Sequence, residues 1–383
     1  MFLRQTAALI GIAVASIPSR PGSASVLAVS VACAVAVLVS TLSIGAGIEM
    51  MTMKNVRNDR VILRSTSGGQ LPRSAAQVAE TLPGIKSDVN GEPLVSADVV
   101  LAVQARKKTG GSKATVTVVG VSRKYDKVYP EIRVTAGRAF QSGLHELIVG
   151  SNAWRNYRGL NIGERVTYQG VRWEIVGTFE AAGGLAESWM LTDAEMLRSA
   201  FNRDGYEQMT VMLASPASFG ALAGALRSIP TLDMELKREI EVRQRQSRSL
   251  NGVVNFVSYF VGLIMAIGAM MGAANSMYAM VDSRRRDFAT LRALGFRSSA
   301  ILAAVLAEAV ILAGPASLVG VLVPWLAFNG NPASFVGLNF SLAVTPGVAA
   351  SGVAVALAIG LVGAMVPAFN AARVPIARGL HAL

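Results

Sequence analysis

Long charge-free stretches alternate along this chain with one block of mixed polarity, and the boundaries between them predict its elements. Pro21 to Ile48 carries no charged side chain. About 20 apolar residues rising 1.5 Å each cross a hydrocarbon core of roughly 30 Å, so a first membrane span is predicted at 22–48. Ser249 to Val281 is a second such window and predicts a span at 251–281. A third, at 300–327, holds one charge, Glu308, and reaches a Pro-interrupted stretch near Pro324. Residues 309–372 contain no Asp, Glu, Lys or Arg, too long a run for one helix. The break FNGNPASFVGLNFS divides it, giving a short loop at 328–346 and a fourth span at 347–370. The fold class is therefore a membrane protein of four transmembrane α-helices, with a large α+β extracytoplasmic domain inserted between helices 1 and 2.

That inserted block, 49–250, has the polarity of a water-soluble domain. DRVILRS at 59–65 reads as a strand, and Ser74 to Leu82 as a short helix stopped by Pro83-Gly84. Residues 94–106 and 113–122 carry β-branched runs on either side of the loop KKTGGSK, as a hairpin should. GERVTYQGVRWEIVGTF at 163–179 places two β-rich runs around Gln169-Gly170, a tight-turn pair. Helices are expected at Asp193 to Phe201 and Pro216 to Ile229. Leu232 to Leu250 is expected to be a charged helix that feeds the second span and could carry motion along its axis.

Charge fixes the expected orientation, because short loops rich in Lys and Arg stay inside. The loop between spans two and three carries Arg284, Arg285, Arg286, Arg292 and Arg297, the tail Arg373 and Arg378, and the head Arg4 and Arg20. The loop between spans three and four has none. Both termini and the Arg-rich loop are thus expected in the cytoplasm, with the large domain outside. Residues 1–21 suit an interfacial cytoplasmic helix. The competing reading, a signal-peptide core cleaved near Ser23 to Ser25, would leave the first span without its Arg20 anchor.

Composition agrees with a lipid-solvated chain: 52% of residues are hydrophobic, only 16% charged, and soluble domains average about 25% charged. Outside 49–248 the only acids are Asp282, Asp287 and Glu308. Catalytic chemistry finds little material. The two histidines, His145 and His381, have no neighbours at metal-ligand spacing, so neither a metal site nor a catalytic residue is expected. Cys33, the single cysteine, lies in the first span and excludes an intrachain disulfide. TGGSKAT at 109–115 lacks the Walker A spacing that wraps phosphates in backbone N–H groups, so this chain is not expected to hydrolyse ATP. Basic runs such as Arg106-Lys107-Lys108 suit a solvated or lipid-facing surface, and no nucleic-acid partner is expected.

The loop at 282–299 is the most informative segment. It sets Phe288, Leu291 and Leu294 at helical spacing, Arg284, Arg285 and Arg286 at the membrane edge, and Gly295 as a C-terminal stop. A short amphipathic helix parallel to the membrane follows, either an ordinary positive-inside loop or a coupling helix that seats on a partner ATPase. Its RDFATLRALGF pattern, with Glu308 in the next span, resembles the FtsX/MacB-type permease family, which includes macrolide exporters and lipoprotein-releasing permeases. The tail PAFNAARVPIARGLHAL from Pro367 is similar to that family's ending, and residues 134–154 and 163–179 resemble its outer, MacB-like periplasmic domain. Asp287-Phe288 stands where the family usually has an acidic-Ile pair.

The resemblance implies a permease subunit of an ABC transporter in the bacterial inner membrane. This chain would bind no cofactor, while ATP-Mg sits on a separate ATPase chain. Family members pair two permeases on two ATPases, sometimes with a periplasmic adaptor and an outer-membrane channel, and relay ATP-driven closure through the coupling helix to the outer domain. Arg284, Arg285, Arg286, Asp287, Phe288, Leu291, Arg292, Leu294 and Gly295 become the expected ATPase-coupling residues. Glu308, an intramembrane charge, is costly enough to need a partner such as a loop Arg. The implied work is export or extraction of a hydrophobic or amphiphilic substrate; the alternative is FtsX-like signalling to cell-wall hydrolases without solute movement. Gly262, Gly268 and Gly272 in span two, and Gly352, Gly360 and Gly363 in span four, suit either a dimer interface or packing within the chain.

Overall fold

The computed structural model describes residues 11, 21–108, 110–229, 233–335 and 338–373. The expected interfacial helix at 1–21, apart from residues 11 and 21, and the family-like tail beyond Arg373 lie outside those residues. In chain order the elements are α1 (Pro21–Met53), β1 (Arg60–Ser65), β2 (Leu71–Pro72), α2 (Arg73–Thr81), β3 (Val95–Arg106) and β4 (Lys113–Val121). There follow α3 (Tyr125–Val128), β5 (Arg133–Gly137), β6 (Glu146–Gly150), α4 (Ser151–Asn156), β7 (Arg165–Tyr168), β8 (Val171–Glu180) and β9 (Trp189–Asp193). Then come α5 (Ala194–Ala200), β10 (Gly205–Tyr206), β11 (Gln208–Met212), α6 (Phe219–Arg227), β12 (Met234–Arg238) and α7 (Glu239–Ser283). The chain closes with α8 (Arg285–Ala293), α9 (Ser298–Phe328), β13 (Pro332–Phe335), β14 (Leu338–Ser341) and α10 (Pro346–Ala372).

Two compact units result. One holds residues 1–48, 251–331 and 341–383, the other 49–250 and 332–340. The sheet unit is a ten-stranded mixed sheet ordered β12-β1-β11-β3-β4-β9-β6-β8-β5, with β7 paired to β8. The two predicted hairpins form its local pairs, β3 with β4 and β7 with β8. At the second turn Gln169 and Gly170 both take positive φ, 50° and 77°, the backbone that matches a two-residue turn to the right-handed strand twist. Strands β6 and β9 were not anticipated. Their residues are apolar on both sides, because each lies between two neighbours and is covered on both faces. On one face Trp173, Tyr157 and Leu147 join a large buried cluster, and on the other Phe179, Ile148 and Leu191 join a second.

One expectation is corrected here. Residues 234–238, read as the start of a charged helix, are strand β12, paired antiparallel to β1 from Val61↔Arg238 to Ser65↔Met234. The open edge of β1 offers a ladder of backbone partners to an alternating MELKR run, and helix α7 starts only at Glu239. A β13–β14 pair also occupies the segment read as a plain loop.

Among the described residues four helices are long and apolar enough to cross a membrane, Gly22–Met53, Glu239–Ser283, Ser298–Phe328 and Pro346–Ala372, and the helical unit holds their apolar stretches. Its core is built from small residues. A Cβ added to Gly352 would come within 2.7 Å of Val39 Cγ2, one on Gly320 within 2.7 Å of the Ala32 carbonyl, and one on Gly363 within 2.9 Å of Ala273 Cβ. Gly262 and Gly272 likewise face Leu38 and Ser30 of α1. These glycines serve packing within the chain, while Gly268 faces open space. Such close approach lets backbones gain dispersion energy that lipid would otherwise compete for.

Candidate functional site

The 282–299 segment resolves into a stop, a nine-residue helix and a restart. Helix α7 ends at Ser283, Arg284 leaves helical geometry with φ −114° and ψ 14°, and α8 runs from Arg285 to Ala293. Gly295 ends it with φ +90°, a conformation in which a Cβ is strained. Gly295 N–H donates to the Arg292 carbonyl at 3.1 Å and Phe296 N–H to the Leu291 carbonyl at 3.1 Å, the two bonds of a Schellman motif. The hydrophobic partners of that motif, Leu291 and Phe296, both pack against the bundle core. The short helix is therefore closed at its C-terminus by chemistry written in the run LRALGF.

The sites predicted by sequence separate into two groups. Phe288 is buried in the bundle cluster with Met277, Ile301 and Ala368, and Ala289 beside it is fully buried. Leu291 is half-buried against the same cluster. Arg285, Arg286, Asp287 and Leu294 are exposed, Leu294 at 72%. Leu294 thus falls off the apolar stripe where its spacing had placed it, because the helix ends at Ala293 and Leu294 is the cap. Ala289 was missed in sequence; its signal was only that it adjoins Phe288 on the core-facing arc.

The three arginines also part company. Arg285 pairs with Asp282 at 2.7 Å on the surface, whereas Arg284 is buried and reaches Glu308 of α9, Nη1 to Oε2 at 3.4 Å. Its guanidinium lies 5.7 Å from the Phe288 ring centroid and 3.9 Å from Asp287. Arg284 and Phe288 are four residues apart, so they share one helix face, and that spacing was the available clue. The pair braces α8 against α9 at a depth where an unpaired charge would be strongly penalised. Beside α8 an open groove of about 440 Å³ is lined by Arg292, Ser298, Leu302, Phe369 and Arg373. A firmly anchored helix with an exposed charged face and an adjoining basic groove can receive an acidic or amphipathic element of another protein.

Two family models together cover most of the chain. The MacB-like periplasmic core domain matches residues 25–229, and the FtsX-like permease C-terminal matches residues 259–376. No curated protein matches the sequence. Among solved structures, the extracellular domain of the noncanonic ABC-type transporter YknZ from Gram-positive bacteria is similar at 18% identity, covering 46% of this chain and 99% of that one, with a TM-score of 0.37. The periplasmic region of MacB from Actinobacillus actinomycetemcomitans is similar at 13% identity, covering 51% of this chain and 96% of that one, with a TM-score of 0.38.

Proposed function

Because this chain belongs to the family of MacB-like and FtsX-like ABC-transporter permeases, we propose that it couples ATP hydrolysis by a separate ATPase to export or extraction of a hydrophobic or amphiphilic substrate. ATP-Mg stays on the ATPase, and this chain moves substrate by mechanical transmission to its sheet domain. The observation that carries the reading is α8, a short helix capped by Gly295, anchored inward by Phe288 and the Arg284–Glu308 pair, with Arg285, Arg286, Asp287 and Leu294 exposed on its outer side. Helix α7, continuous from Glu239 to Ser283, is a stiff element suited to relaying such a push.

The Arg-rich loop and both termini face the cytoplasm of a bacterial inner membrane, and the sheet domain faces outward, because the one short loop on the other side, 328–346, carries no Lys or Arg. A second permease copy packs against α7. Its most apolar window is only 22% buried, against 44% for each of the other three helices, and Phe256, Phe260 and Leu263 are exposed on it. A periplasmic adaptor and an outer-membrane channel are further partners in this scheme.

Leu294→Asp tests the coupling surface without touching the bundle core. It is expected to abolish co-purification with the ATPase while leaving the thermal unfolding temperature of the permease unchanged; intact co-purification would overturn the assignment. Leu291→Asp is the poorer test, since a charge there also attacks intrachain packing. For orientation, Val89→Cys in a Cys33→Ala background places a thiol at a 98% exposed site of the sheet domain. A membrane-impermeant maleimide should label it in intact spheroplasts, and labelling only after permeabilisation would invert the topology. Substrate-stimulated ATPase activity in liposomes separates transport from signalling.

A further inference from the structure

At the end of the bundle where α9 begins and α10 finishes, the open groove of about 440 Å³ is lined by Arg292, Ser298, Ser299, Leu302, Phe369 and Arg373. Small-molecule sites run from about 300 to 1,000 Å³, so the groove has room for a headgroup rather than for a bare ion. Its lining carries two arginines, two exposed serines and no carboxylate. Acids are scarce at this end of the chain. Outside residues 49–248 they are Asp282, Asp287 and Glu308, and none of the three lines the groove. Asp282 pairs with Arg285 at 2.7 Å, while Glu308 and Asp287 lie 3.4 and 3.9 Å from Arg284. Arg373 is exposed, its guanidinium 4.9 Å from the Phe369 ring centroid, and among the described residues no carboxylate lies within ion-pair distance of it.

Away from this basic end the surface of α10 turns apolar along one row. Arg373, Phe369, Val366 and Val362 succeed one another at three- and four-residue spacing, so they share a helix face. Phe369, Val366 and Val362 are exposed at 48%, 58% and 51%. From Arg373 to Val362 the helix rises about 16 Å, half of the roughly 30 Å hydrocarbon core. The row is therefore about as deep as one leaflet. An arginine-lined groove at the head of such a row matches an amphiphile with an anionic head and an acyl chain. Free phosphate would leave the apolar row unused, and so would a purely acidic segment of another protein.

We propose that this groove binds an anionic phospholipid, with its headgroup phosphate held by Arg373 and Arg292, the Ser298 and Ser299 hydroxyls donating to its oxygens, and one acyl chain laid along Phe369, Val366 and Val362. The proposal requires that α9 and α10 span a bilayer. It involves neither ATP nor a partner chain, so its outcome is independent of the coupling reading.

Native mass spectrometry of the full chain in a neutral detergent, titrated with dioleoylphosphatidylglycerol or with dioleoylphosphatidylcholine, tests this. One phosphatidylglycerol is expected to bind at least about tenfold more tightly than phosphatidylcholine, the sum of two arginines near a membrane surface. Arg373→Gln should cut that preference about fivefold and leave the unfolding temperature unchanged, since the side chain is exposed. Arg172→Gln, which removes an equal charge from an exposed position of the sheet unit, should leave the preference intact. Equal binding of the two lipids by the wild type would overturn the proposal. Equal losses in the two variants would also overturn it, because net charge alone would then account for the preference. Displacement of the bound lipid by millimolar inorganic phosphate would make this a phosphate site, and displacement by a hexaglutamate peptide a site for an acidic protein element; either result counts against a lipid. If Arg373→Gln fails to fold, the lipid comparison and the two competitions on the wild type still decide.

Discussion

The sheet unit and the helical unit each bury an arginine, and they satisfy it differently. Arg60, 1% exposed, donates to Glu239 Oε2 at 2.7 Å, Glu131 Oε1 at 2.9 Å, the Val128 carbonyl at 3.1 Å and the Asn55 carbonyl at 2.9 Å. Burial alone would lower its guanidinium, but Glu239 and Glu131 outweigh it and hold the charge in place. Arg284 shows a single longer contact to Glu308 at 3.4 Å, a 3.9 Å approach to Asp287 and an aromatic face. In the sheet unit strand ends and loops bring backbone carbonyls to the guanidinium. In the bundle the helices consume their own carbonyls, so an arginine depends on side chains. The lock on Arg60 thus mixes carboxylates with backbone carbonyls, and that on Arg284 includes Glu308, Asp287 and the Phe288 ring.

The strongest attempt to break this comparison is Arg60→Ala, which strands two carboxylates. It is expected to cost the sheet unit about 3–5 kcal/mol, read as a lowered denaturation midpoint of the full chain in detergent by tryptophan fluorescence. A loss below about 1 kcal/mol would show that the lock is not electrostatic. Next comes Glu308→Ala, with an expected loss of about 2–3 kcal/mol in the bundle. Pairing it with Arg284→Met should recover part of that loss, because the stranded charge is gone; simple additivity would mean the two residues do not act together. The smallest effect concerns packing. Gly363→Val should cost about 1–3 kcal/mol by overpacking against Ala273, whereas Gly268→Val, facing open space, should leave the unfolding temperature unchanged. An equal cost at both sites would remove close helix contact as the bundle's organising principle.

Much of the molecule was written in local pattern. Charge-free windows gave the four spans because lipid solvation is decided residue by residue, and the Gln169-Gly170 turn and the LRALGF cap gave their elements because both are short-range backbone chemistry. Helix α8 was legible for the same reason, down to Gly295 as its stop.

Tertiary structure decided what depends on partners distant in sequence. Residues 234–238 became a strand because β1, far earlier in the chain, left an open edge. Leu294 became exposed and Arg284 buried because the packing of α8 against α9 and α10, rather than the composition of the loop, chose which arc faces inward. Gly262, Gly352 and Gly363 could be assigned to intrachain contacts only once Leu38, Val39 and Ala273 stood opposite them. Periodicity sets how residues are spaced around a helix axis, but which side meets protein, lipid or a partner is fixed by the neighbours it packs against.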